Sequence, residues 1–295
     1  ISGYQARQNM GVTLAKRVAS TVPPNEIDVV IPIPESSRPS AMELAQLLGL
    51  PKQQIDAQLQ RRFVPENGAG MQTAVNAYLV QRGATRVLVD AGTAHCFGNA
   101  LGHVPDNLRA AGLRAEDVTD VLLTHAHPDH LCGVLGAQGV TAFANATLWL
   151  DDSELRYWQG GEVESRTPPA LRFVIAQARR ALAPYQAQGR LRSFKPGDAL
   201  PAGIQALASP GHTPGHTSYL IDGGRSDDPA RSAHKLLVWG DVVHYHVVQF
   251  AQPADSFEAD VVRQTAIASR RAPLARAARQ GWWVAGAHMP FPGLG

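Results

Sequence analysis

Thr124-His125-Ala126-His127-Pro128-Asp129-His130 carries three imidazoles and a carboxylate within its last six positions, and no other feature constrains this chain as strongly. His125 and His127 are two residues apart, so at an extended strand end their side chains fall on one side. Past Pro128 the pattern predicts a helical turn with Asp129 near its start, which brings Asp129 and His130 back toward the same space. Packing four such groups without a cation carries a large desolvation cost. Imidazole with carboxylate is instead a usual ligand chemistry for zinc. The preceding apolar run, Val118–Thr124, predicts a strand that ends at this cluster.

Three later blocks offer further ligand types, each a weaker signal alone. Ser209-Pro210-Gly211-His212-Thr213-Pro214-Gly215-His216-Thr217 predicts a tight loop bearing one or two imidazoles. Val238-Trp239-Gly240-Asp241 ends a predicted strand with a carboxylate, although Gly-Asp is also a common turn. Ala285-Gly286-Ala287-His288-Met289-Pro290 ends the last predicted strand with a histidine.

The rest of the chain reads as interleaved short strands and helices. Strands are expected at Thr73–Val80, Arg86–Asp90, Val118–Thr124, Ala146–Leu150, Ile204–Ala208, Thr217–Ile221, Lys235–Trp239 and Trp282–Ala285. Helices are expected near Pro105–Ala111, Ser153–Trp158, Pro168–Tyr185 and Ser256–Arg271, with a polar surface hairpin loop over Asp222–His234. The class is α/β. The chain has 295 residues, 44% apolar and 18% charged, an ordinary balance for a folded domain. A formal net charge of +2 with no basic run gives no reason to expect a nucleic-acid partner. No apolar stretch approaches the roughly 18 residues needed to span a bilayer, so no membrane partner is expected. Cys96 and Cys132 are too few for a disulfide framework and leave the redox compartment open. No signal peptide opens the chain, and localisation stays undecided.

The order His-X-His-X-Asp-His, Gly-His, Gly-Asp and a final His resembles the metallo-β-lactamase superfamily. That resemblance implies a four-layer αββα sandwich with two divalent cations, zinc foremost, at one edge of the sheets. It implies that His125, His127 and His212 hold one cation, Asp129, His130 and His288 the other, and that Asp241 bridges them. His216 then falls outside the direct ligands. The nucleophile would be a hydroxide shared by the cations, with Asp129 able to shuttle a proton and Asp241 as the second catalytic carboxylate.

Strings outside the ligands are similar to methyl parathion hydrolase and its relatives. They include Gln72–Leu79, Val89-Asp90-Ala91-Gly92, Cys96-Phe97-Gly98, Ala183-Pro184-Tyr185, Val248-Gln249-Phe250 and Pro290–Gly295. This likeness covers about residues 54–295. It implies small-molecule substrates, namely organophosphate triesters or aryl esters, with acyl-homoserine lactones as an alternative. It also implies a homodimer and a periplasmic or secreted setting. The positions matching that family's aromatic leaving-group pocket are Phe97, Trp158 and Phe173, with Trp158 the favoured pocket residue. His244 stands where the family tends to have an apolar residue, which makes the expected pocket more polar.

Residues 1–52 are expected to form a separate, atypical α/β segment, followed by a hydrolase domain over 53–295. Tyr4–Gly11, Ile27–Pro34 with Glu35-Ser36-Ser37, and Met42–Pro51 resemble an interior piece of amidophosphoribosyltransferase. The loop that grips ribose phosphates in that enzyme has no counterpart here. A phosphoribosyltransferase fragment is therefore the alternative from a different class, and a fused or misassembled coding sequence the simpler account. The hydrolase family also tends to continue past the equivalent of Gly295. A missing C-terminal strand would expose a sheet edge, so an inactive chimera is a third reading.

Overall fold

The apolar side chains of β2, Thr85–Val89, point alternately into two different cores, and that alternation defines the layers. Leu88 joins a cluster with Leu123, Leu148, Leu150 and Tyr185, whereas Val87 and Val89 join one with Leu122, Tyr219 and Val238. A strand buried on both faces lies in the middle of a stack. The computed structural model of the chain describes residues 74–98, 101–223, 235–257, 259–290 and 293–295. The atypical α/β segment expected over residues 1–52, and its boundary at 52/53, lie outside the described residues.

The first sheet has the order β1-β2-β3-β4-β5. β1 (Tyr78–Arg82) pairs antiparallel with β2, and β3 (Asp120–Leu122), β4 (Thr147–Asp151) and β5 (Leu191–Phe194) continue parallel to it. Four helices precede or separate these strands and the next: α1 (Val104–Ala110), α2 (Pro128–Leu131), α3 (Asp152–Gln159) and α4 (Glu162–Arg166). A fifth, α5 (Phe173–Ala187), buries Ile175, Ala178, Ala181, Leu182 and Tyr185 against the outer face of this sheet.

The second sheet, β6-β7-β8-β9, comprises Gln205–Ala208, Thr217–Asp222, Lys235–Val238 and Trp283–Ala285. Its inner face contributes Ala206, Tyr219, Ile221, Val238 and Ala285 to the core between the sheets. On its outer face, Leu220, Leu237 and Trp239 pack with Ala277 and Leu274 of α7 (Arg263–Gln280), which follows the short α6 (His246–Gln249). The order helix, sheet, sheet, helix is the αββα sandwich that the resemblance implies. Among the described residues, no helix is long and apolar enough to cross a membrane.

Several expectations need correction. β5 was not anticipated: it pairs only with β4 and exposes Arg192 and Ser193, so it lacks a readable apolar alternation. The helix expected at Ser256–Arg271 spans Arg263–Gln280 instead. Ser256 does not start it, because its hydroxyl and the Phe257 N–H both donate to the Asp260 carboxylate, at 2.9 Å each, in a separate turn. The helix then passes Pro273 and stops at Gly281, which is left-handed at φ 63°. The antiparallel pairing of β7 and β8 agrees with a hairpin across Asp222–His234, whose residues 224–234 lie outside the description. The expected open edge is covered in part, since Val284 and Gly295 exchange two backbone hydrogen bonds of 2.9 and 3.0 Å beside β9.

Candidate metal centre

β3 sits between β2 and β4, and the chain leaves its C-terminal end through Leu123 and Thr124 directly into His125. His127 is extended at φ −66° and ψ 148°, and Pro128 opens α2. The predicted helical turn is therefore present, with Asp129 and His130 in it. From the second sheet, His212 lies in the β6–β7 loop, Asp241 follows β8, and His288 follows β9. Gly240 permits the approach of Asp241: it is left-handed at φ 53°, and a Cβ there would lie 2.8 Å from Thr124 Oγ1 and from His216 Nε2.

The seven expected ligands meet. His125, His127, His212 and Asp241 form one group and Asp129, His130 and His288 another; His244 adds two more, with His212 and Asp260 and with Asp241 and His288. In the first, His127 Nδ1 lies 2.9 Å from His125 Nε2 and 2.8 Å from His212 Nε2. In the second, His130 Nε2 and His288 Nε2 each lie 3.5 Å from Asp129 Oδ2. Asp241 reaches both groups, with His130 Nε2 at 3.1 Å, His288 Nε2 at 3.1 Å and His212 Nε2 at 3.3 Å.

The outer partners of these imidazoles decide whether the set suits a cation. Thr124 Oγ1 lies 2.9 Å from Asp90 Oδ2 and 3.0 Å from His125 Nδ1. With its proton given to Asp90, it accepts from Nδ1–H of His125. His130 Nδ1 donates to Asp90 Oδ2 at 2.9 Å, His212 Nδ1 to Asp260 Oδ1 at 3.1 Å, and His288 Nδ1 to the Ala74 carbonyl at 2.8 Å. Each bond fixes a tautomer whose Nε2 lone pair points inward. Inward-facing lone pairs and two carboxylates then share a buried space with almost no donors. His130 Nε2 and Asp241 Oδ1 indeed have no hydrogen-bond partner. Divalent cations satisfy such a donor set, and the residues present fit them.

The electrostatics divide the same way. Burial, reinforced by His130, holds His125 well below the usual imidazole range, and burial with His212 pushes His127 down to about 3. Burial also opposes charge on His130 and His288, but the neighbouring carboxylates, Asp241 foremost, outweigh it and raise both. Burial works against charge on Asp129 and Asp241 too, and the imidazoles around them, His130 first, hold both carboxyls below their ordinary range.

His216 stands outside the two groups, as expected. Its Nε2 accepts the Asp241 backbone N–H at 3.0 Å and its Nδ1 meets Ser209 Oγ at 2.9 Å, so it braces Asp241. His244 is in the cluster rather than on an open pocket wall: it is buried, with Nε2 3.0 Å from Asp241 Oδ2 and its ring stacked on His288. Trp158 also departs from expectation. It is 2% exposed, donates to Glu154 Oε1 at 2.6 Å and packs edge-on against His127, so it seats a ligand instead of lining a pocket. Its polar neighbours in sequence hid the fact that α3 turns this face inward. Phe97 and Phe173 are about half exposed, at 47% and 50%. Phe97 follows Cys96, which forms a disulfide with Cys132, two residues past His130. Asp90, Thr124, Glu154 and Asp260 were not anticipated. Asp90 had a sequence signal, within Val89-Asp90-Ala91-Gly92, and Thr124 stood at the head of the histidine cluster; Glu154 and Asp260 had none.

These features define a class, the divalent-metal hydrolases built on an αββα sandwich. The chain belongs to the metallo-beta-lactamase superfamily, whose profile matches residues 70–227. Among solved structures it is similar to hydrolase AbOPH of the beta lactamase superfamily, with 36% identity over 83% of this chain and 82% of that one, at a TM-score of 0.74. It is also similar to AidC, a dizinc quorum-quenching lactonase, with 28% identity over 82% of this chain and 81% of that one, at a TM-score of 0.71. A 50-residue stretch is 52% identical to amidophosphoribosyltransferase of Pseudomonas aeruginosa; it spans 17% of this chain and 10% of that enzyme. The chain thus spans about a tenth of the length of the curated relatives it matches.

Proposed function

We propose that this chain is a binuclear zinc hydrolase of the methyl parathion hydrolase-like branch, cleaving organophosphate triesters of the methyl parathion and paraoxon type or aryl esters. The observation that carries this reading is the pair of inward-facing donor groups joined at Asp241, with tautomers set by Thr124, Asp90, Asp260 and Ala74. The strings similar to methyl parathion hydrolase and its relatives support the branch, and the 36% identity to AbOPH supports a hydrolase of this superfamily.

When bound, the cations supply Lewis acidity toward a P=O, P=S or C=O oxygen and lower the pKa of the attacking water. The chain's own groups do the rest. His125, His127 and His212 form one arm of the cradle and His130 and His288 the other; outer hydrogen-bond partners hold all of them but His127, on which the Trp158 ring packs. Asp129, its side chain 25% exposed beside His130, is the carboxylate assigned to shuttle the proton that the attacking water gives up. An aryl oxide leaves without protonation, so aromatic contacts serve it better than a general acid. Phe97 and Phe173 are the exposed rings assigned to that contact.

A second substrate class, acyl-homoserine lactones, is favoured by the likeness to the lactonase AidC. The test is turnover of methyl paraoxon, a nitrophenyl ester and an acyl-homoserine lactone by one zinc-loaded sample of the full chain. Preferred cleavage of the first two is expected. A kcat/KM for the lactone above both would move the assignment to the lactonases, and no turnover of any would overturn it.

A further inference from the structure

We propose that Glu154 is a positioning residue of the metal centre: its buried carboxylate ties the strand end bearing His125 and His127 to the loop bearing His212, and so sets the spacing of those three imidazoles. The proposal deepens the binuclear reading and rests on it.

Glu154 lies in the first turn of α3, where the Asp151 side chain caps the helix by accepting from the Ser153 and Glu154 N–H groups. It is fully buried. Oε1 accepts the N–H of Ala126, the residue between the two ligating histidines, at 3.1 Å. Oε2 accepts the N–H of Gly215, three residues past His212, at 2.9 Å. One side chain therefore holds both backbones that must converge on one cation. The approach is close: a Cβ on Gly215 would lie 2.2 Å from the Glu154 backbone nitrogen. Trp158, one helical turn further on the same face, donates to Oε1 and sets its ring 5.4 Å from that of His127.

General core packing does not ask for this group. A buried carboxylate is costly to desolvate, and an apolar residue of similar size fills such space at lower cost. What an apolar residue lacks is two acceptors facing two different ligand-bearing segments. Outer groups that orient metal ligands typically govern affinity by about 10–100-fold.

The decisive variant is E154Q, which keeps size and burial but replaces one acceptor oxygen with an amide that faces a backbone N–H. Stepwise zinc affinities of the purified full chain are measured by competition with a chromophoric chelator, alongside thermal unfolding of the chelator-treated protein. L182A, in the same core but remote from the ligands in sequence, controls for simple destabilisation. The expected result is one zinc at wild-type affinity and the other weakened about 10–100-fold in E154Q, with both unchanged in L182A. E154D, which withdraws both oxygens by one methylene, is expected to show the same one-site loss and carries the test should E154Q not fold. Wild-type affinity for both ions in the folded variants, or equal weakening in L182A, would overturn the proposal. Fewer than two zinc ions on the wild-type chain would instead overturn the binuclear reading, and this proposal with it.

Discussion

The five-stranded sheet delivers four of the expected ligands from one strand end, within a six-residue stretch beyond β3, whereas the four-stranded sheet delivers three, one each after β6, β8 and β9. The first set is assembled by local geometry: an extended pair, then a proline-opened turn. The second is assembled by tertiary approach, through the left-handed Gly240 and the carboxylates of Glu154 and Asp260. Each of the two expected cation positions draws on both sheets, while His244 forms two further groups on the second sheet's side, with His212 and Asp260 and with Asp241 and His288. His212 completes the group begun by His125 and His127, and His288 completes the one begun by Asp129 and His130. The centre is therefore a seam, and its integrity depends on how the two sheets are held together.

The sharpest way to break that comparison is to empty the first sheet's share. H125A with H127A should reduce hydrolysis to background and lower zinc content by one ion per chain, read by turnover and metal analysis. Turnover retained by the folded double variant would sink the assignment of those histidines.

Next in size is the Cys96–Cys132 cross-link, which ties the first sheet's β2–α1 loop to the end of α2 across 36 residues of chain. Chain-entropy reasoning gives about 3–4 kcal/mol for a loop of that length. Urea unfolding of C96S against wild type should show a loss of that order. A loss below about 1 kcal/mol would mean that the loop is held by its packing instead.

Smaller effects are expected from the outer partners, one from each sheet. Asp90 holds His130 and Asp260 holds His212, so D90N and D260N should each weaken zinc binding by about 10–100-fold. A marked inequality, measured by chelator competition, would show that one sheet's arms are preset and the other's are shaped by the cation.

The smallest expected effect is the pH response of the metal-free protein. Burial holds His127 and His216 at about 3 and His244 at about 4 in the folded state. As pH falls below the ordinary imidazole value of about 6.5, the unfolded chain takes up protons that the folded chain refuses. Stability should therefore fall between about pH 6.5 and 4, by at most about 1.4 kcal/mol per pH unit for each group. His130 and His288, raised in the fold, act oppositely: their contribution is complete below about pH 6.5, so it is constant across that window, and it is lost only as pH rises above it through their folded values. Thermal unfolding of chelator-treated protein checks this, and a higher Tm at pH 5 than at pH 7 would contradict it.

The same contrast explains what the sequence disclosed. His125 to His130 were legible because four residues able to ligate a metal lie within six positions and because strand and turn geometry can be read locally. His212, Asp241 and His288 became convincing only through family order, since an isolated Gly-His or Gly-Asp has many uses. Glu154, Asp260 and the true place of Trp158 were hidden, because each acts across the tertiary structure and leaves no local pattern. The helix after Asp260 was misplaced for a related reason. A carboxylate that closes a turn with Ser256 and Phe257 looks, in sequence, like part of a helix start.

Zinc stoichiometry measured together with turnover tests the central claim most directly: the full chain is stripped with chelator, titrated with zinc and assayed on methyl paraoxon at each step. The account predicts no turnover without metal and full turnover only as the second ion per chain is bound. Full turnover in the stripped protein, or saturation with fewer than two ions, would contradict it.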